Sequence, residues 1–309
     1  MLLQWDLNNK DLHKKYVELC DYEFEIYFDS IVQNILAFNK VKILTISGPS
    51  SSGKTTVALK LASELSKYDI NAKIISMDDF YRNICDIPKK PDGKPNFETI
   101  DALDTELIIK CLTEAVEFNK TKLPRFDFKT SARKKEYKDF ELNEHEMIII
   151  EGIHGLNPQI IDNLPGENIK SIYTTIGEKV YLPENDIIFS KRDIRFLRRL
   201  IRDYKYRGAA TDFTFMLWET VRESESLYIF PYENNAHIKI NSFYKYELNV
   251  IKKQALELLS DIENDSKYYK KSCELKNKLS RIIPIDEELV PSTSLVREFI
   301  GNSVYYRKD

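Results

Sequence analysis

The chain has 309 residues, 42% hydrophobic and 12% aromatic with few glycines and prolines, which excludes a disordered or fibrous protein and allows a large buried core. A formal charge of −3 and an isoelectric point near 6.0 exclude the general basic footprint with which nucleic-acid binders neutralise phosphates, so any positive site must be local. Cys20, Cys85, Cys111 and Cys273 stand far apart with no C-x-x-C pair, which argues against a disulfide framework or zinc knuckle and for a reducing compartment. The start, MLLQWDLNNKDLHKK, lacks the regions of a signal peptide, and no apolar run reaches the roughly 20 residues of a membrane span, so a soluble, cytoplasmic protein is expected.

Residues 1–40 are polar and aromatic and end with Ile31, Ile35, Leu36 and Phe38 at helical spacing; they read as a helical extension packed on the domain that begins at Val41. From Val41 the run VKILTIS predicts a strand, followed by a Gly/Ser-rich turn and then a helix with Val57, Ala58, Leu61, Ala62 and Leu65 on one face. Short apolar runs at 72–76 and 147–150, with a helical pattern over 101–118, predict an α/β fold: a parallel sheet flanked by helices. Between them, PKKPDGKPNF carries an Asp92-Gly93 turn signal and LPRFDFKTSARKKEYKDFEL alternates aromatic and basic residues. These predict a hairpin-like insertion at the sheet's edge, about 84–145, which carries substrate contacts. Further on, 170–174 reads as a strand, 193–206 as a strongly basic helix, 213–228 as a helix and 236–241 as the last strand. Leu248, Ile251, Ala255, Leu258 and Ile262 then recur at helical spacing, so 242–309 reads as a C-terminal helical extension packed on a central domain of 41–241.

Gly48-Pro49-Ser50-Ser51-Ser52-Gly53-Lys54-Thr55 satisfies G-x-x-x-x-G-K-[ST] in the required strand–loop–helix context. The glycines let the backbone wrap a phosphate, Lys54 reaches the β/γ-phosphates, and Thr55 ligates Mg²⁺. In SMDDFYR, at the end of the second predicted strand, Asp78 is a candidate general base; both aspartates could instead cap a helix. In IIIIEGIHGL, Glu151 ends a buried strand where a carboxylate can hold Mg²⁺, with Gly152 leaving space beside the nucleotide. Arg195, Arg198, Arg199 and Arg202 fall on one helical face with Arg207 beyond, either a cluster that closes over a triphosphate or a solvated basic helix. His13, His145, His154 and His237 are scattered without metal-ligand spacing and read as structural or surface residues.

Together GPSSSGKTT, SMDDFYR, NFETIDALDTELI, LPRFDFKTSAR, IIIIEGIHGL and RDIRFLRRLIRDYKYRG resemble the uridine kinase/phosphoribulokinase family of P-loop kinases, in order and spacing, from about 41 to 241. The later stretches MLWETVRESESLYIFPYENNAHIKINSFYKYEL and VPSTSLVREFIGNS are similar to a bacterial uridine-kinase-like branch. Some of that branch carry threonyl-tRNA-synthetase-like N-terminal modules, for which this chain has no room; it would be a short form or a fragment. The resemblance implies a P-loop NTPase-type sheet, ATP or GTP as donor, Mg²⁺, and a nucleoside as acceptor at its 5′-hydroxyl. It places the triphosphate on Gly48, Ser50, Ser51, Ser52, Gly53, Lys54, Thr55 and Thr56. Thr55 and Glu151 would hold the metal and Asp78 would be the base, with Lys54 and Arg202 completing the catalytic set. Tyr81, Phe97, Phe126 and Phe128 would line the nucleoside pocket, with Glu98 on the ribose hydroxyls and Arg133, Arg195 and Arg198 on the acceptor side. Arg202 and Arg207 would belong to a lid, about 191–210, over the phosphates. The resemblance leaves a homo-oligomer open and implies neither nucleic acid nor membrane as partner.

Two departures bear on specificity. Uridine-cytidine kinases generally have Asp where Glu98 stands, and a Tyr and a His where this chain has Phe126 and Ser131. Losing both polar groups removes the donors and acceptors that would read a pyrimidine edge. Three other readings are open. One is a kinase of a different small alcohol, with Lys129, Arg133 and Lys134 meeting an anionic acceptor. The others are a non-catalytic ATP-binding regulatory protein, and an RNA-binding module built on the arginine helix, which the acidic net charge opposes.

Overall fold

Residues 9–38, 41–90, 92–166, 168–177, 180–181 and 187–306 are described by the computed structural model. The ends of the expected extensions, 1–8 with 39–40 and 307–309, and Pro91 of the expected turn lie outside them. In chain order the elements are α1 (Lys10–Leu36), β1 (Ile43–Ser47), α2 (Lys54–Ser66), β2 (Asn71–Ser76), α3 (Thr105–Glu117), β3 (Lys120–Leu123), β4 (Phe126–Asp127), β5 (Ala132–Arg133) and β6 (Lys138–Glu141). There follow β7 (Glu146–Glu151), α4 (Pro158–Ile161), β8 (Ile169–Thr175), β9 (Val180–Tyr181), β10 (Ile187–Phe189), α5 (Lys191–Arg207), α6 (Thr211–Tyr228), β11 (Ile238–Asn241), α7 (Glu247–Ser260), α8 (Tyr269–Ser280) and α9 (Arg297–Ile300).

Five strands form one parallel sheet in the order β11-β8-β1-β7-β2. A parallel sheet needs crossovers that cover both faces, so its central strands are continuously buried: β1, ILTIS, is buried at every position, its Thr45 and Ser47 hydroxyls hydrogen-bonded. The strand period of two divides the core. Leu44, Ile46, Met147, Ile149, Ile172 and Ile240 face a cluster that takes in α1, α2, α5 to α8 and residues 282–300. Ile43, Ile75, Ile148 and Ile150 face a second cluster under α3, α4 and the insertion.

The insertion is a nested hairpin, β3 pairing with β6 and β4 with β5, both antiparallel. It abuts the edge strand β2, where Lys73 Nζ donates to the Glu141 carbonyl at 2.6 Å. The helix expected over 101–118 starts later, because residues 100–102 form a 3₁₀ turn and Asp104 caps Leu107 N. N-terminal helix α1 is fixed to α2 by Glu25, which accepts from the buried Lys60 Nζ at 2.7 Å, and to the segment between β11 and α7 by Phe24, whose ring stacks 4.1 Å from Tyr244. Among the described residues no helix is long and apolar enough to cross a membrane.

Register positions the site. Glu151 at the end of β7 pairs with Ile46 on one side and Ser76 on the other, so the loop after β1, the tip of β7 and the Asp78 segment after β2 share the carboxyl edge of the sheet.

Candidate active site

Gly53 caps α2 in the left-handed region at φ 85°, where a side chain would be strained, and Ser51 also takes φ 58°. The loop is held from behind. Arg198 Nη1 donates to Ser51 O at 3.3 Å and Ser242 Oγ to Ser52 O at 2.6 Å, while Arg199 Nη1 donates to Ser50 Oγ at 2.8 Å. Ser50 N donates to Glu225 Oε1 at 2.9 Å, so one backbone donor already carries an anion. The Ser51 and Ser52 hydroxyls are buried without a partner, as expected of groups placed for a ligand's oxygens. Lys54 Nζ donates to Gly48 O at 2.9 Å and Pro49 O at 3.2 Å. Burial lowers the Lys54 pKa, and the charges of Glu151, Asp78, Glu298 and Glu225 oppose the shift.

Glu151 is buried, accepts from Ser76 Oγ at 3.0 Å, and is pushed up to about 7 by desolvation and then by Asp78, against the pull of Lys54. Asp78 lies in the open cleft, exposed to solvent yet surrounded by protein mass. Desolvation raises its pKa and Asp79 adds to this, while Lys54 and Arg207 draw it down. Burial and the Asp78 charge hold the Glu151 proton up, an imbalance that a hard divalent cation would correct, so the donor chemistry of Glu151 fits the Mg²⁺ expected there with Thr55. Among the described residues no three His, Cys, Asp or Glu form a metal cage. Gly152 leaves its space elsewhere: a Cβ there would stand 2.6 Å from that of Met77, so the glycine admits the Met77 side chain, not the nucleotide.

The four aromatics expected in the acceptor pocket come together. Tyr81 lies 5.4 Å from Phe97, 5.5 Å from Phe126 and 6.3 Å from Phe128, all edge-on. Asp79 fixes the group by accepting from Phe126 N at 3.2 Å, so the neighbouring aspartates divide into one positioning and one cleft-facing carboxylate. Glu98 is partly buried with its pKa raised by desolvation, opposed by Arg199, Lys90 and Lys54, and its backbone carbonyl meets the buried His154 Nε2 at 3.1 Å. Burial holds that imidazole neutral, its pKa pushed down to about 4. Ser131 takes φ 51° in the β4–β5 turn.

The arginine helix departs from expectation. Its basic face is neither solvated nor uniformly aimed at ligand. Arg195 is fully engaged with Glu225 of α6, at 3.0 and 2.5 Å, beneath Trp218. Arg198 is 1% exposed and spends its donors on Glu247, Ser51 O and Ser242. Arg133, also expected on the acceptor side, bonds Asp104 at 3.1 Å and the Phe80 and Tyr81 carbonyls. These three brace the site because buried guanidinium groups require carboxylate and carbonyl partners. Arg202 and Arg207, the expected lid residues, share Asp203 with Arg199, at 3.0, 3.4 and 3.0 Å. Three cations on one carboxylate leave a net positive face, and the charge of Arg207 reaches Asp78. Sequence reasoning missed Glu225, Glu247, Ser242, Glu298 and Tyr306, whose partners lie far away along the chain, and gave Arg199 no separate part; no local signal marks them.

Residues 43–248 match the model of the phosphoribulokinase / uridine kinase family. A protein named uridine kinase from Lactobacillus helveticus is 33% identical over 173 residues, 56% of this chain and 72% of that one. Another of that name from Clostridium novyi is 33% identical over 170 residues, 55% of this chain and 72% of its own. A solved structure described as a possible uridine kinase from Bacillus stearothermophilus aligns with 71% of this chain and 99% of its own at 19% identity and a TM-score of 0.47. With its phosphate loop, cleft carboxylates and parallel sheet, and with two thirds of its length matched by one family model, the chain belongs to the phosphoribulokinase / uridine kinase family of kinases.

Proposed function

We propose that the protein transfers the terminal phosphoryl group of ATP or GTP to the 5′-hydroxyl of a uridine- or cytidine-like nucleoside, giving the monophosphate. The observation that carries this reading is the position of Asp78 in the cleft, within electrostatic reach of Lys54 of the phosphate loop and beside Glu98 and the Tyr81–Phe97–Phe126–Phe128 cluster. A planar base fits among edge-on rings, a carboxylate suits ribose hydroxyls, and the remaining hydroxyl is directed toward the phosphates.

Catalysis rests on positioning and charge neutralisation. Asp78 accepts the hydroxyl proton as the oxygen attacks, Lys54 leaves the Gly48 and Pro49 carbonyls for the β/γ-phosphates, and Arg202 and Arg207 face the charge on the transferring group. Mg²⁺, when bound through Thr55 and Glu151, neutralises the phosphate oxygens. The four free cysteines fit a reducing, cytoplasmic setting. Engagement of Arg133 by Asp104 weighs against an anionic acceptor, and burial of the arginine face in ion pairs weighs against RNA.

The test is acceptor-dependent ADP release from Mg²⁺-ATP against a panel of nucleosides and small alcohols, with Lys54→Ala as blank. Turnover with uridine or cytidine is expected. Turnover with a non-nucleoside alcohol alone, or ATP binding without any turnover, overturns the reading in favour of another acceptor or of a sensor.

A further inference from the structure

The phosphate loop ends at Thr55, and the next residue, Thr56, carries an unusual load for the first turn of α2. Its Oγ1 donates to Glu298 Oε2 at 2.5 Å and lies 2.8 Å from the Tyr306 hydroxyl, which completes a chain Tyr306 to Thr56 to Glu298. Both partners come from the C-terminal stretch, beyond the residues 43–248 that the family model matches. The stretch is fixed where it stands. Phe299 is fully buried under the Arg198 guanidinium, 4.9 Å from its ring, and Lys205 Nζ donates to Ile300 O at 2.8 Å. Arg297 bonds the carbonyls of Glu287, Val290 and Gly301.

A triphosphate seated by its β- and γ-phosphates on the loop leaves past the first turn of the following helix, whose N–H groups meet the α-phosphate. Beyond it come the sugar and base, and in this chain the surface beside Thr56 is the Glu298 carboxylate and the Tyr306 ring, 43% exposed. A carboxylate is a poor neighbour for phosphate and a good acceptor for ribose hydroxyls, as in dinucleotide-binding folds, while an exposed phenol ring offers a base a stacking face.

On the kinase reading above, we infer that Glu298 and Tyr306 form the wall that binds the ribonucleoside half of the phosphate donor, Glu298 accepting from the ribose hydroxyls and Tyr306 stacking on the base. The C-terminal stretch is thereby a specificity-determining part of the donor site.

Equilibrium titration of ATP, 2′,3′-dideoxy-ATP and inorganic tripolyphosphate, each with Mg²⁺, into wild type, Glu298→Gln and Tyr306→Ala tests this. Tripolyphosphate reads the loop alone. In both variants ATP affinity is expected to fall about tenfold, the effect of one charge-assisted hydrogen bond or one base–aromatic stack, with tripolyphosphate unchanged in Tyr306→Ala and unchanged or tighter in Glu298→Gln, which removes a negative charge near the loop. Glu298→Gln is also expected to erase the preference for ATP over the dideoxy nucleotide. Parallel changes in ATP and tripolyphosphate, or no change in either, overturn the inference while leaving the kinase reading intact. Wild type that binds neither ATP nor tripolyphosphate overturns both.

Discussion

Asp78 and Asp79 are neighbours of identical chemistry, and the 3₁₀ turn at Met77–Phe80 sends them to different tasks. Asp78→Asn is expected to lower turnover about 10²–10⁴-fold with ATP affinity retained, the usual effect of losing a positioned base. Asp79→Ala frees Phe126 N and loosens the aromatic group, so it is expected to raise the acceptor KM more than it lowers kcat; steady-state kinetics on both variants separates the roles. The phosphate-loop motif and the Asp78 segment stand out in the sequence because their signals are local. Glu225 and Glu298 do not, since an isolated glutamate in a helix reads as a solvated one. Asp21 gives a residue-scale prediction about stability. It accepts from Tyr246 at 3.0 Å, its other oxygen is buried without a partner, and desolvation pushes its pKa up to about 7. The folded chain therefore holds a proton there that the unfolded chain has lost. This carboxyl destabilises the fold progressively as pH rises from about 4 to about 7, by up to about 1.4 kcal/mol per pH unit. Asp21→Asn is expected to flatten that limb in urea titrations from pH 4 to 8.

At the scale of elements, α5 is the part that expectation placed correctly and understood least. Ser190 and Asp193 form a capping box, and Gly208 ends the helix in the left-handed region, so its bounds follow from local chemistry. The task of its arginines does not, because Glu247 and Glu225 arrive from α7 and α6, 49 and 30 residues away. Their pairing turns a surface helix into a buried brace behind the phosphate loop. Arg198→Met strands a buried carboxylate and is expected to cost about 3–5 kcal/mol in urea unfolding, whereas Arg198→Met with Glu247→Met is expected to restore most of it. The nested hairpin shows the converse. Alternating aromatic and basic residues announced it, and β3–β6 and β4–β5 formed as such pairs do, while the Asp92-Gly93 signal marks a separate turn between Lys89 and Pro95.

For the whole molecule, the flanking segments are part of one core. Ile282, Val290, Leu295, Val296, Phe299 and Ile300 are buried in the cluster that also holds α1 and the sheet, or directly beside it. Each such side chain contributes about 1.5–3 kcal/mol, and the sum is comparable with a domain's net stability of about 5–15 kcal/mol. Truncation after Ser280 is therefore expected to abolish the cooperative thermal unfolding transition, checked by calorimetry, as well as nucleotide binding.

By itself the sequence determined the strand–loop–helix that holds a phosphate, the alternation that makes a parallel sheet, the aromatic insertion and the family. Each is written in spacings of a few residues, where backbone geometry leaves little choice. Only the tertiary structure decided that Asp79 holds Phe126 in place, which arginines are braces, why Gly152 is a glycine, and that Glu298 and Tyr306 stand beside Thr56. Those facts depend on pairings between residues 30 to 250 positions apart, which the chain makes only when burial leaves each charge no other partner.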